Sequence, residues 1–187
     1  MMGVSGLVLA GGQGRRMGCV DKGLQLLHGK PMIATVLERL APQVDEIIVN
    51  ANRNLERYRA LGHPVVTDEI SGFAGPLAGL HAGLSAAARP LVVTAPCDSP
   101  FLPADLVSRL KKFLENHDLA VAKTGDQPHP VFALVRTHLK ENLETFLAGG
   151  GRKIDAWYAP LKVIEVSFDD EADAFRNINT LEELDRE

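Results

Sequence analysis

Short apolar runs alternate along this chain with longer stretches in which apolar residues recur at helical spacing. The first run, residues 5–10 (Ser-Gly-Leu-Val-Leu-Ala), has the length and composition of a fully buried strand. A glycine-rich basic loop over residues 11–18 follows. Ile33, Val36, Leu37 and Leu40 then mark one helical face, opened by Pro31 and stopped by Pro42. Residues 46–50 read as a second strand. Asn54 is positioned to cap a short helix through Leu61 that Gly62 ends. Residues 65–67 form a third, short strand delivering Asp68. A loop at 71–75 leads to an alanine-rich helix from Pro76 to Ala88, and residues 91–95 make a fourth strand. Pro103 opens another helix, with Leu106, Leu110, Phe113 and Leu114 on one face. Residues 119–122, 131–135 and 161–166 read as further strands, residues 139–148 as a helix ending in three glycines, and residues 181–184 as a capped terminal helix.

Strands alternating with helices predict a single-domain, three-layer α/β/α fold over residues 1–187, Rossmann-like, doubly wound and with a mostly parallel sheet. Ligands of such sheets gather at the carboxyl ends of the strands. That rule singles out Gly11, Asn50, Asp68 and Asp98, which are expected along one rim. Composition narrows the setting. At 45% apolar and 24% charged residues the chain can bury a substantial core, which excludes disorder. A net charge of -4 gives no support for nucleic-acid binding. Two distant cysteines, Cys19 and Cys97, make neither a zinc motif nor a disulfide framework. No apolar run approaches a membrane span, and no signal peptide is expected, so a cytoplasmic location with no membrane partner is the expectation.

The loop after the first strand carries the strongest chemical signal. Glycines at 11, 12, 14 and 18 let backbone N–H groups turn toward an anion, and Arg15, Arg16 and Lys22 add positive charge offset only by Asp21. A triphosphate suits such a loop. A dinucleotide fingerprint beginning at Gly12 fails because Met17 stands where its third glycine belongs, and the second strand ends in Asn50 rather than an acid. A Walker A loop fails because Gly29-Lys30 is followed by Pro31. A tight strand-to-helix turn with solvated arginines is the plainer alternative.

The acids divide less cleanly. Asp98 follows a buried strand and is a candidate Mg²⁺ ligand, since that cation prefers oxygen donors and keeps several waters; an Asx-turn before Pro100 explains the same residue equally well. Asp68 suits a ribose hydroxyl, a base edge or a place near the metal, but also an ordinary strand-end turn. Asn50 suits a nucleotide contact, or a turn-rich loop with Asn52 and Asn54. The six histidines show no metal-hydrolase spacing, residues 83–87 fall short of a nucleophile elbow, and Cys97 reads as a buried structural thiol.

Taken together, Leu9-Ala10-Gly11-Gly12-x-Gly14-x-Arg16-Met17-Gly18-x-x-Asp21-Lys22 resembles the signature loop of the MobA-type molybdenum cofactor guanylyltransferases. Gly29-Lys30-Pro31-Met32, Asn50-Ala51-Asn52-Arg53, Gly75-Pro76-Leu77-Ala78-Gly79, Pro96-Cys97-Asp98-Ser99-Pro100 and Asn177-Ile178-Asn179-Thr180 resemble its later motifs in order, over nearly the whole chain. The resemblance implies a nucleotide-diphospho-sugar-transferase-type fold. It implies transfer of GMP from GTP to the phosphate of molybdopterin, with Mg²⁺ as cofactor and pyrophosphate released. On this resemblance, Leu9, Ala10, Gly11, Lys22, Asn50, Asp68 and Asp98 contact GTP. Arg16, Lys22 and Asp98 act in catalysis, and Asp98 holds the metal. Gly75, Gly79, Asn177 and Asn179 lie on the pterin side. Molybdopterin-handling proteins or molybdoenzyme chaperones are the implied transient partners. Related cytidylyltransferases typically carry Ala-Ala-Gly where this chain has Ala10-Gly11-Gly12, so the letters here are of the guanylyl type. The rivals are a nucleotidyltransferase acting on another phosphorylated acceptor, a non-catalytic nucleotide-binding module, and an NAD-linked oxidoreductase, which Met17 and Asn50 disfavour.

Overall fold

The computed structural model describes residues 2–12, 21–70, 75–178 and 183. Nine strands are found among them: β1 (Val4–Leu9), β2 (Leu26–Leu27), β3 (Lys30–Pro31), β4 (Glu46–Asn50), β5 (Val65–Val66), β6 (Leu91–Pro96), β7 (Leu119–Thr124), β8 (Gln127–Arg136) and β9 (Val163–Ser167). The helices are α1 (Met32–Leu40), α2 (Leu55–Arg59), α3 (Pro76–Ala86), α4 (Leu106–Leu114), α5 (Lys140–Ala148) and α6 (Ile154–Tyr158). Seven strands form one sheet in the order β5-β4-β1-β6-β8-β7-β9. All neighbours are parallel except those of β8, which runs antiparallel to both β6 and β7. The mostly parallel sheet expected from the alternation of elements is therefore present, with one reversed strand inside it.

Alternation of side chains across the pleat divides the core into two. Val4 and Val8 of β1, Ile47 and Val49 of β4, and Leu91, Val93 and Ala95 of β6 face one side, where α1 and α4 cover them. Leu7, Ile48 and Val92 face the other, under α3, α5 and α6. Helices thus lie on both faces, as a doubly wound sheet requires. The only tryptophan, Trp157, is fully buried in the second layer and donates its indole N–H to Asn142 Oδ1 at 2.8 Å.

Several local expectations are corrected. Pro31 opens α1 as expected, at its N-cap, but it also closes β3, a strand the sequence did not show. The β2–β3 hairpin turns through His28 and Gly29, both at positive φ, the signature of a tight two-residue turn matched to strand twist. Asn54 does not cap α2. Its backbone is left-handed, which takes its amide away from the first-turn N–H groups, and its side chain instead reaches Asp21. Phe113 is 44% exposed, because the buried stripe of α4 is centred on Leu106, Val107, Leu110 and Leu114 and leaves Phe113 at its margin under Lys112. The 71–74 loop, most of the 11–18 loop and nearly all of the expected terminal helix lie outside the described residues.

α3 is buried along eight consecutive residues, Leu77 to Leu84, because it lies between the sheet and α5. Its small residues are what let it approach so closely. A Cβ on Gly83 would meet Leu7 Cδ1 at 2.7 Å, and Leu7 is fully buried with nowhere to move. Gly83→Val is therefore expected to destabilise the protein by about 1–3 kcal/mol through overpacking. The measurement is a fall in the urea midpoint followed by Trp157 fluorescence; an unchanged midpoint would mean that α3 does not rest on β1 as described.

Candidate functional site

Register builds the site. Leu9 of β1 lies level with Asn50 on one side and Pro96 on the other, and Asn50 lies level with Val66. Parallel strands in that register end together, so Gly11, Asn50, Asp68 and Asp98 emerge along one edge of the sheet, as the sequence reading expected. Backbone bonds continue the alignment just past the strand ends: Ala10 N–H donates to Asn50 O at 2.8 Å, and Cys97 N–H to Leu9 O at 3.1 Å. α3 leaves the same edge, and Gly75 opens it at φ +58.

Two clusters of polar groups occupy this rim. In the first, Asp68 accepts hydrogen bonds from Asn50 Nδ2 at 2.8 Å and Asn52 Nδ2 at 2.9 Å, while its own N–H donates to Asn52 Oδ1 at 2.9 Å. Asn50 is buried and Asp68 half-buried. Asp68 is thus more than a turn residue: it orients both asparagines. Gly11 and Gly79 close in on Asn50. A Cβ on Gly79 would overlap Asn50 Oδ1 and come within 2.9 Å of Leu9 Cδ2. The glycine assigned to the pterin side by resemblance therefore packs here against a residue assigned to the nucleotide.

In the second cluster, Lys22 Nζ lies 3.1 Å from Asp98 Oδ2, with the two side chains 21% and 13% exposed. These residues are separated by 76 positions, and only the fold brings them together. The Asp98 segment is also held from the far end of the chain. Ile178 N–H donates to Asp98 O at 2.9 Å, and Ser99 Oγ donates to Asn177 Oδ1. Asn177 therefore stands beside Asp98, while Arg16 and Asn179 lie outside the described residues.

Sequence reasoning missed the residues beneath this cluster. In the sequence Asp21 reads only as a partial offset to the loop's charge. It is in fact buried, at 9% exposure, and its carboxylate accepts from Tyr58 Oη and from Asn54 Nδ2 at 2.9 Å. Tyr58 is fully buried, and burial, the neighbouring Cys97 and the bond to Asp21 push its phenol well above the ordinary range. Burial, reinforced by Asp98 and Asp21, likewise raises the Cys97 thiol, so it stays protonated and packs as a structural residue. The burial of a tyrosine on a five-residue helix, with its hydroxyl on a buried carboxylate, is not a pattern that spacing reveals.

Among the described residues no group of three or more His, Cys, Asp or Glu side chains is arranged to hold a metal. The described residues by themselves therefore build no caged site. Asp98 as a rim carboxylate fits Mg²⁺ in its commoner protein mode, in which one or two carboxylates share the ion with substrate phosphates and water.

A mostly parallel sheet that gathers a glycine turn, a lysine and a carboxylate at its strand ends defines an α/β nucleotide-handling protein. Known proteins narrow the class. A family model described as a MobA-like NTP transferase domain matches residues 6–162. The molybdenum cofactor guanylyltransferase of Cupriavidus necator is 54% identical over 97% of this chain and 94% of its own length. The crystal structure of molybdopterin-guanine dinucleotide biosynthesis protein A from Archaeoglobus fulgidus superposes with a TM-score of 0.78 at 28% identity, covering 97% of this chain and 95% of that one. At 17% identity and a TM-score of 0.64, Rv0371c from Mycobacterium tuberculosis, solved in complex with manganese, shares the fold over 88% of each chain. The chain belongs to the MobA-like NTP transferase family, among its molybdenum cofactor guanylyltransferases.

The contact between Gly79 and Asn50 yields a test. Alanine favours the helix by about 1 kcal/mol, which offsets part of the steric cost, but its methyl must displace the Asn50 amide from Asp68. Gly79→Ala is expected to lower kcat/KM about 10- to 100-fold with a small change in Tm. Unchanged kcat/KM in the variant would remove the Asn50–Asp68 pair from substrate positioning.

Proposed function

We propose that this enzyme transfers GMP from GTP to the phosphate of molybdopterin, releasing pyrophosphate and forming the guanine dinucleotide cofactor. The observation that carries the reading is 54% identity to a molybdenum cofactor guanylyltransferase over 97% of the chain. The juxtaposition of Lys22 and Asp98 at the strand-end rim supports it chemically.

The reaction asks little of a general base, because the acceptor phosphate is already anionic near neutral pH. Its oxygen attacks the α-phosphorus of GTP, a new P–O bond forms, and the bond to the β-phosphate oxygen breaks in line. What the protein must supply is alignment and compensation of the charge that gathers on the leaving pyrophosphate. Lys22, with Arg16 and the amides of the glycine loop, binds the triphosphate. Leu9, Ala10 and Gly11 bring backbone close to the nucleotide, and Asn50, oriented by Asp68, contacts it through its amide. Gly75, Gly79, Asn177 and Asn179 belong to the motifs that the resemblance assigns to the pterin side. Asp98 is the residue that would hold Mg²⁺, which when bound neutralises phosphate charge during transfer. Lys22 and Asp98 lie 3.1 Å apart, so the lysine and the carboxylate share one place at the rim. The product is received by molybdopterin-handling proteins or molybdoenzyme chaperones. A cytoplasmic setting is part of this proposal; separately, among the described residues no helix is long and apolar enough to cross a membrane.

The test is transfer of label from α-phosphate-labelled GTP, and in parallel CTP, to intact molybdopterin with and without Mg²⁺. Product from GTP alone, lost on chelation and restored by Mg²⁺, is expected. Product from CTP would overturn the base assignment, and product that survives chelation would overturn the metal. Lys22→Ala and Asp98→Ala are each expected to raise the barrier by about 3 kcal/mol, roughly a hundredfold in rate. Near-normal turnover in either variant would remove that residue from the mechanism.

A further inference from the structure

Lys22 stands between two acids that are used in opposite ways. Its ammonium meets Asp98 at the rim, while the preceding residue, Asp21, turns its carboxylate into the protein interior. Each Asp21 oxygen is taken: Oδ1 by the Tyr58 hydroxyl and Oδ2 by the Asn54 amide at 2.9 Å. The Asp21 carbonyl is engaged as well, by Leu24 N–H at 3.2 Å and Gln25 Nε2 at 3.1 Å, which closes the tight turn over Lys22–Leu24. Gly23 lets this turn press against the same tyrosine; a Cβ there would stand 2.8 Å from the Tyr58 oxygen and 3.3 Å from Cys97 Sγ. Cys97 in turn immediately precedes Asp98. The turn that carries Lys22 and the strand end that carries Asp98 are thus packed on one buried phenol.

From this geometry we infer that Tyr58, through Asp21, is a positioning residue for Lys22: its hydroxyl anchors the Lys22–Leu24 turn so that the ammonium is held at the rim where the triphosphate binds. Tyr58 does not touch substrate, being fully buried. It acts on the lysine's placement. A buried carboxylate deprived of one of its donors must find another or turn toward water. Either response moves the main chain of Asp21, and Lys22 moves with it. Asn54 supplies the second donor from an exposed position at φ +52, so its contribution can be removed without disturbing the core.

The inference rests on the role given to Lys22 above, and a double-mutant cycle separates the two. Tyr58→Phe keeps the ring and deletes the hydroxyl; Asn54→Gly deletes the amide and accommodates the left-handed backbone. Each is expected to reduce kcat/KM for GTP about tenfold in the otherwise native enzyme, the size of one lost hydrogen bond to a charged group. In the Lys22→Ala background each should change kcat/KM by less than about twofold, because there is no ammonium left to misplace. A purely structural role would lower Tm and reduce kcat/KM by the same factor in both backgrounds, and that additivity overturns the inference. So does wild-type kcat/KM in Tyr58→Phe and Asn54→Gly. Native turnover in Lys22→Ala itself would overturn the role of the lysine and the positioning role with it. Asn54→Gly, whose site is at the surface, decides the matter should Tyr58→Phe fold poorly.

Discussion

The pairing of β1 with β4 on one side and β6 on the other governs this molecule. Leu9 is level with both Asn50 and Pro96, so the two flanking strands deliver their last residues to the same height as the glycine turn. Parallel ladders hold that alignment through evenly spaced backbone bonds, and both faces of the sheet are buried, so a slip by one residue would send every core side chain to the wrong face. The rim therefore inherits its precision from the hydrophobic layers. Leu7 pointing to α3 and Val8 pointing to α1 are as necessary to the position of Asp98 as any bond at the site.

Close approach is the second requirement, and the chain meets it by omitting side chains. α3 lies against β1 and β4 because Gly83 and Gly79 present no Cβ to Leu7 and Asn50. The same approach limits the freedom of the Asn50 amide, which is then oriented by Asp68. Packing and polar orientation are in this way one device: removing the space alters the hydrogen bond.

The charges at the rim follow the needs of phosphoryl transfer, in which positioning and compensation of charge outweigh proton transfer. Asp98 and Lys22 are partly exposed and lie 3.1 Å apart at the rim, where an incoming polyanion can reach them. Asp21 is buried and saturated by Tyr58 and Asn54, a geometry that resists rearrangement. One acid is within reach of a ligand and the other is enclosed. The distant segment at Asn177 and Ile178 adds a brace to the Asp98 turn, bringing the far end of the described chain to the site built by its beginning.

The strands of the main sheet, helices on both of its faces and the four strand-end positions were legible in the chain because each rests on local information: buried strands read as apolar runs, helices as a 3.6-residue period, and turns as glycine or proline; the short β2–β3 hairpin and α6 were not. The glycine loop and the ordered motifs were legible for the same reason, and they led to the family. What local pattern could not show was any fact that depends on which residues become neighbours. The reversal of β8, the outward place of Phe113 and the left-handed Asn54 were settled by packing against distant elements. So was the meeting of Lys22 with Asp98 across 76 residues. Asp21 is the sharpest instance: beside three basic residues it reads as a surface charge, and only the burial of Tyr58 against it makes it an anchor, since a carboxylate enters the interior only where the fold has already assembled donors to receive it.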